Sequence, residues 1–499
     1  MGRAKPAPAD RTITTTDFLQ LDRADAPAGG LADWLTERLR LAIEDGRLPV
    51  GERLPATREL AGDLRVSRGV VTEAYRRLAE EGQVAGFGRG GTRVVNAPLV
   101  RPEPEPGERA DTAPFDASPP GNHAIDGLRS APARIDLSPG VPDLAAFPRT
   151  AWLRAERTVL ARLSPDSFAY GDPRGARPFR AAVATWLARN RGIRVHPDHV
   201  LVVAGVAQAL ALLARVLRAD GVCTIAVEDP GSLGTRSQLG GWQVDTPPVP
   251  VDDGGLRVDV LRASGVPAVL LTPAHQFPTG AVLDGDRRRE LAAWADAGGL
   301  VVEDDYDAEH RYDRPPVPAL KATLPDRVCY TGSVSKLLAP ALRVGWLLVP
   351  ARYRDAAVAA KRDSDLGNAV LPQLVLAELM ASGELERHLR LVRRRHLKRR
   401  DATVDAVRAL LPRARVHGAA AGLHLMLTFD GTFSDVELAA AVLAEGVKVQ
   451  PLSWHAQRPY PPGLVLGYAA VNATEIREGV ATIGRVIAGR TVSRARRRR

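Results

Sequence analysis

Cysteine is nearly absent: Cys223 and Cys329 are the only two in 499 residues. They stand far apart in apolar company, which excludes a disulfide framework and any cysteine-based zinc spacing. A reducing compartment fits. Aromatic residues are scarce at 5 %, a compositional habit to which no mechanism attaches. Apolar runs long enough to cross a bilayer are lacking, and Met1 to Asp10 carries no apolar stretch of the secretory kind. No segment repeats with a fixed period. The expectation is a cytoplasmic protein with no membrane partner and no metal site.

What is present is length, apolar content and positive charge. A chain of 499 residues exceeds one ordinary domain, and 45 % hydrophobic residues can fill a large core. The formal net charge of +10 favours polyanions, nucleic acid first. Part of it sits in the tail Arg494, Arg496, Arg497, Arg498 and Arg499, which reads as a solvated end.

Residues 1–30 read as a polar, flexible arm. From 31 to 95 the pattern tightens. Leu31, Trp34, Leu35, Leu39 and Ile43 recur at helical spacing. Gly46 and Pro49 stop that helix, and Thr57 reads as the N-cap of a second. Ser67 caps a third, striped by Val70, Val71, Ala74, Tyr75 and Leu78 and stopped at Gly82. Glycines between Val84-Ala85 and Val94-Val95 then predict a β-hairpin. Three helices and a hairpin are the plan of a winged helix-turn-helix, whose third helix puts its first residues on base edges. Those residues are Ser67, Arg68, Gly69 and Thr72, with Arg58 and Arg89 placed for phosphate. Acids nearly balance the arginines here, so the reading requires the free positive charge to lie on one face.

Residues 96–134 are proline-rich, as in Arg101-Pro102-Glu103-Pro104-Glu105-Pro106, and read as a linker. From 135 to 489 strands and helices alternate. Strand candidates are Val200–Val203, Thr224–Val227, Ala268–Leu271, Leu300–Val302, Arg327–Thr331 and Val344–Val349, the mark of an α/β domain with a mostly parallel sheet. After about Asp355 the pattern becomes helical, with strands near Leu423–Phe429 and Leu464–Tyr468, a small α+β lobe. Residues 490–499 form the basic tail.

Within the α/β part, Asp304 follows the strand Leu300–Val302, where an acid faces the ligand crevice at the carboxyl end of a parallel strand. Thirty-two residues later comes Ser333-Val334-Ser335-Lys336, and then Arg343. Gly205 opens a helix after Val200–Val203, so free backbone N–H groups there can face a phosphate.

Two resemblances organise these pieces. Leu54-Pro55-Ala56-Thr57-Arg58-Glu59-Leu60-Ala61, Val66-Ser67-Arg68 and Ala74-Tyr75-Arg76-Arg77-Leu78-Ala79-Glu80-Glu81-Gly82 resemble the GntR-family DNA-binding domain. Arg65 stands where that family usually has glycine, and Gly69 where it has threonine. Tyr170 to Gly175, Glu228 to Gly231, Thr272 to Gly280, Glu303 to Tyr312, Thr331 to Lys336 and Leu342 to Trp346 resemble fold-type I aminotransferases. The combination resembles the MocR-type transcription regulators.

The resemblance implies a cofactor, pyridoxal 5′-phosphate (PLP), held as a Schiff base on Lys336. It implies that Asp304 pairs with the pyridine nitrogen, that Tyr306 donates to the phenolic oxygen, that Ser333 and Arg343 hold the phosphate, and that Ser335 and Gly205 also belong to the cofactor site. Tyr170 is implied to reach the site of a neighbouring subunit in a head-to-tail homodimer. His275 and Gln276 occupy the segment where aminotransferases place an asparagine by the ring. Arg393, Arg394, Arg395, Arg399 and Arg400 read as a solvated helix face. Ser232 replaces a ring-packing tyrosine, Ala204 and Ala207 replace a hydroxyl and a glutamine, and Gly463 to Tyr468 lacks the arginine that clamps an amino-acid carboxylate. The expected function is a regulator that binds an operator on double-stranded DNA and responds to PLP or to a small amine or amino acid. The alternative is a working aminotransferase with a DNA-binding head.

Overall fold

A computed structural model describes residues 21, 23, 26–27, 30–45, 47–95, 115, 120–312 and 317–497. The chain divides into two compact units, Met1–Asp111 and Thr112–Arg499.

The first unit packs helix α1 (Leu31–Glu44) and helix α2 (Thr57–Asp63) against α3 (Arg68–Glu80), followed by strands β1 (Val84–Gly86) and β2 (Thr92–Val94). Their apolar stripes meet in one cluster around Leu35, Leu39, Leu60, Val71 and Leu78. Burying each such side chain contributes about 1.5–3 kcal/mol. Leu21, from the segment read as a loose arm, belongs to this core at 7 % exposure, while most of that arm lies outside the described residues. The second helix begins one residue earlier than expected. Ala56 is its N-cap, and Thr57 is helical, leaving the Thr57 hydroxyl to accept from Arg68 Nε at 3.4 Å. Ser67 does hold the N-cap position of α3, though its side chain makes no capping bond. Strands β1 and β2 pair antiparallel from Val84 with Val94 to Gly86 with Thr92, the expected wing.

The second unit opens with a helix, α4 (Asn122–Ser130), inside the stretch read as a linker; most of the remainder of 96–134 lies outside the described residues. Ala124 and Leu128 of α4 are buried against Leu233 and Trp454, so two apolar residues suffice to dock it. In chain order there follow β3 (Ile135–Asp136), α5 (Arg149–Arg162), α6 (Arg177–Arg191), β4 (Leu201–Val203), α7 (Val206–Ala219), β5 (Ala226–Asp229), α8 (Leu233–Gly241), β6 (Pro248–Asp252), β7 (Gly255–Leu256), β8 (Ala268–Leu271), α9 (Gly285–Asp296), β9 (Leu300–Asp304), β10 (Val328–Ser333) and β11 (Gly345–Leu348). The remainder holds α10 (Arg354–Asp365), α11 (Val370–Ala381), α12 (Glu384–Leu410), β12 (Ala414–His417), β13 (His424–Phe429), α13 (Asp435–Ala444), β14 (Val447–Lys448), β15 (Gln450–Pro451), β16 (Gly463–Gly467) and α14 (Ala473–Arg497). Helix α14 runs through eight residues of the segment read as a tail.

Eight strands form one sheet in the order β4-β11-β10-β9-β8-β5-β6-β7. Strands β6, β5, β8, β9 and β10 run parallel, and β11 is antiparallel to both neighbours. Alternate residues face opposite layers: Val200 and Val202 join α5, α6 and α11, whereas Leu201 and Val203 join α7 and α10. This is the three-layer α/β architecture, α/β where the sheet is parallel and α+β in the lobe. The lobe's sheet is β12-β13-β16-β15, and β14 pairs with β3. No described helix is long and apolar enough to cross a membrane.

Candidate functional site

The parallel strands β5, β8, β9 and β10 deliver their carboxyl ends to one cavity of about 430 Å³, as expected for an open α/β sheet. Strand alternation sorts three successive acids. Glu303 turns away and accepts the backbone N–H of Leu320 and Lys321 at 2.9 Å. Asp304 enters the cavity. Asp305 is locked in a buried ion pair with Arg191 at 2.5 Å and accepts the Tyr330 hydroxyl at 2.5 Å.

Asp304 is 9 % exposed, and its Oδ1 is buried with no hydrogen-bond partner. Burial, then the charges of Asp305 and Asp307, push its pKa up to about 7, with Lys336 opposing. A carboxylate so placed is short of a cationic donor. Lys336 lines the same cavity and donates to the Gly140 carbonyl. Desolvation lowers its pKa, with Asp307 and Asp304 opposing, which favours the neutral, nucleophilic amine. The Tyr306 hydroxyl lies 3.1 Å from His275 Nδ1, which is 2.9 Å from Asp307 Oδ2. Burial, then Asp307 and Asp304, hold the phenol well above its ordinary pKa, so it stays a proton donor.

At the other end of the cavity stand Val206, Ala207, Ser333, Ser335 and Arg343. Gly205 has φ +83°, which calls for glycine in the turn, and a Cβ there would crowd Arg343 Nη1 at 3.3 Å. Gly205 is the N-cap of α7, a 14-residue helix whose free N–H groups face this end. Arg343 donates to the Ala204 carbonyl from a left-handed backbone, φ +50°. A hydroxyl pair, a guanidinium and a helix N-terminus make a phosphate cup. The orphaned Asp304 oxygen, the cup and a desolvated lysine fit PLP.

Other expected residues lie elsewhere. His275 and Gln276 do not line the cavity. His275 backs Tyr306, and Gln276 spends both ends of its amide on a turn, donating to the Pro230 carbonyl at 2.8 Å and accepting from Thr279 N at 3.0 Å. Tyr170 is 93 % exposed. Arg395 and Arg399 form ion pairs with the buried Asp143 at 2.9 and 3.0 Å, so two of the α12 arginines are structural rather than a solvated face. Ser232 does line the cavity, as the N-cap of α8, accepting from Thr235 N at 3.2 Å.

Sequence reasoning missed several lining residues. Glu228 is buried and accepts Thr272 N and Oγ1 at 3.0 and 2.7 Å; burial raises its pKa to about 7. His424 from β13 lines the cavity. Burial drives its pKa down to about 3. The donor atoms of His275, Asp307 and His424 lie within 4.8 Å of one another, but His275 is bonded to Asp307 and His424 approaches the Pro278 carbonyl at 3.2 Å. Arg129 of α4 also lines the cavity, from a segment with no visible catalytic signal.

The first unit answers the charge question. Arg40 pairs with Glu37 and Glu81, Arg47 with Asp45, Arg76 with Glu73 and Glu80, and Arg77 with Asp33 and Glu73. Arg58 and Arg68 have no carboxylate partner among the described residues, and both are exposed. Arg53, Arg65 and Arg93 also have no carboxylate partner among the described residues, and the Arg68 contact with Thr57 brings the N-termini of α2 and α3 together. Ser67, Gly69 and Thr72 are exposed beside them. Arg89 lies in the turn Gly88–Gly90 of the wing; its side chain lies outside the described residues. Arg65 takes φ +51°, which explains why glycine is usual there.

Comparison with known proteins agrees on both units. Residues 133–483 match the family described as aminotransferase class I and II, and residues 31–94 match the bacterial regulatory proteins of the gntR family. The probable rhizopine catabolism regulatory protein MocR of Rhizobium meliloti is 32 % identical, over 93 % of this chain and 94 % of that protein. The HTH-type pyridoxine biosynthesis transcriptional regulator PdxR of Corynebacterium glutamicum is 34 % identical, over 90 % of this chain and 94 % of its own length. Among solved structures, Pyrococcus horikoshii kynurenine aminotransferase, in complex with PMP, aligns with TM-score 0.67 and 25 % identity over 74 % of this chain and 94 % of that one.

Proposed function

This chain belongs to the MocR-type regulators, a gntR-family DNA-binding domain joined to a class I and II aminotransferase domain, and from that membership we propose how it works: the PLP-binding unit sets the DNA affinity of the winged helix-turn-helix. The observation that carries this reading is the buried, unpartnered Asp304 oxygen in one cavity with Lys336 and a phosphate cup. PLP supplies an electron-withdrawing ring and an aldehyde for amines. The chain's own residues orient it: Arg343, Ser333, Ser335 and the α7 N-terminus take the phosphate, Asp304 keeps the ring nitrogen protonated, and Tyr306 donates to the phenolic oxygen.

The effector is PLP itself, or a small amine or amino acid that reaches Lys336. Strand β16, Gly463–Gly467, is buried throughout and carries no arginine, which favours ligand sensing over amino-acid turnover. A ligand shifts DNA binding only through different affinity for two states. The functional particle is a homodimer, with Tyr170 serving the partner's site; its 93 % exposure in one protomer supports this.

Titrating apo-protein with PLP while measuring operator affinity tests the proposal. A shift of tenfold or more, about 1.4 kcal/mol, is expected, and unchanged affinity at saturating PLP overturns it. The intact Lys336, Asp304 and Tyr306 keep a second reading open, a turning-over aminotransferase. Sustained keto-acid formation over many cycles from amino-acid mixtures would favour that reading.

A further inference from the structure

Beyond the groups assigned to the cofactor, the cavity wall carries two more arginines, Arg129 of α4 and Arg236 of α8. Neither has an adequate anion. Arg236 donates to the Trp454 carbonyl at 2.7 Å. Burial lowers its pKa, and Asp229 is the acid that opposes this. Asp229 is already spent on Gln457 N and Arg458 Nε at 2.7 and 2.9 Å. Arg129 pairs with Asp126, one turn back on its own helix, and both side chains are largely exposed. Exposed pairs of that kind are weak and release readily. The charge of Arg129 is felt at Lys336, so it stands within electrostatic reach of the reacting amine.

The acids on the wall do not cancel these cations. Glu228 is bonded to Thr272, and Asp304 is reserved for the ring nitrogen. Ser232, the N-cap of α8, lines the same cavity. Leu233, Leu128, Ala124 and Trp454 clamp α8 and α4 together, so the two arginines are presented by one packed unit.

We propose that Arg236 and Arg129 receive the acid group of a small carboxylate-bearing amine beside the cofactor, in place of the arginine missing from β16. The ligand class is thus an amino acid rather than a simple amine. Guanidinium groups suit this role because they bind carboxylate in a fixed fork. Helix α4 follows the segment that leads from the DNA-binding unit, so a ligand held by Arg129 fixes the first described helix of the cofactor unit. The proposal rests on the cofactor reading above.

The test uses PLP-loaded full-length protein and follows the cofactor's visible absorption during titration with β-alanine and with n-propylamine, which lacks the carboxylate. Wild type is expected to respond to β-alanine at a concentration at least tenfold lower. Arg129→Gln and Arg236→Lys should each raise the β-alanine half-saturation several-fold and leave n-propylamine unchanged. If Arg236→Lys melts early, the exposed Arg129→Gln decides. A cofactor band with no preference for the acid in wild type, or a preference unchanged in both variants, overturns the clamp alone. Absence of the band overturns the cofactor reading and the clamp with it.

Discussion

Asp304 and Lys336 act on one another's charge across the cavity: the amine draws the carboxyl's pKa down, the carboxylate draws the amine's up, and burial outweighs both effects. The apo-site therefore strains toward the neutral form of each group. Folded Asp304 titrates near 7 against an ordinary 3.8. Between those values the folded state holds a proton that the unfolded state has lost, so stability falls as pH rises through the window. Glu228 and Glu303, also raised to about 7 by burial, act in the same direction. His424 and His455, whose pKa values burial lowers to about 3, act in the opposite direction below their ordinary 6.5, so the contribution of Asp304 is read as the difference between the pH slopes of wild type and Asp304→Asn. Asp304→Asn should reduce that contribution, and saturating PLP, whose ring cation pairs with the carboxylate, should reduce it too. Differential scanning fluorimetry of both proteins from pH 5 to 8 checks this; a slope identical in wild type and Asp304→Asn contradicts it.

Asp304→Asn should also weaken PLP binding by tenfold or more, since an amide cannot hold the ring nitrogen protonated. Equilibrium dialysis reads the affinity. Unaltered affinity would show that the ring nitrogen lies elsewhere.

On DNA, Arg68→Ala should cost about 1–3 kcal/mol at the operator if its guanidinium reads a base. Arg58→Ala should weaken operator and random duplexes alike and lower the salt dependence. Mobility shifts on both duplexes at two salt concentrations separate the roles. Equal loss on random DNA for Arg68→Ala would assign it to phosphate.

Tyr170→Ala should weaken PLP binding at the partner's site. Mixing this variant with Lys336→Ala gives heterodimers in which one site has both its lysine and the partner's tyrosine. Those dimers should bind one PLP with wild-type affinity. Failure to restore that affinity would mean Tyr170 serves its own protomer or none.

The sequence was most legible where one force acts alone. Ala268–Leu271 is buried on both faces and reads as a strand without context. Asp304 was read from the end of a strand, whereas Lys336, three residues beyond β10, was assigned by the resemblance; both line the cavity. Strand β6 escaped notice because Pro248 and Pro250 forbid a central strand; it is tolerated because its outer neighbour β7 is two residues long. Helix α4 hid among prolines, since Ala124 and Leu128 show their worth only against Leu233 and Trp454. Gln276 was placed by position in a motif, but its amide is turned onto Pro230 and Thr279, which no spacing reveals. Arg129 and Arg236 come together from segments more than a hundred residues apart, a proximity only the fold supplies.

The central claim is that one amine carries the cofactor. Borohydride reduction of the PLP-loaded protein, followed by digestion and mass spectrometry, tests it most directly. A phosphopyridoxyl adduct confined to Lys336, and absent from Lys336→Ala, is the predicted result. An adduct on another lysine, or none at full PLP saturation, would contradict the account.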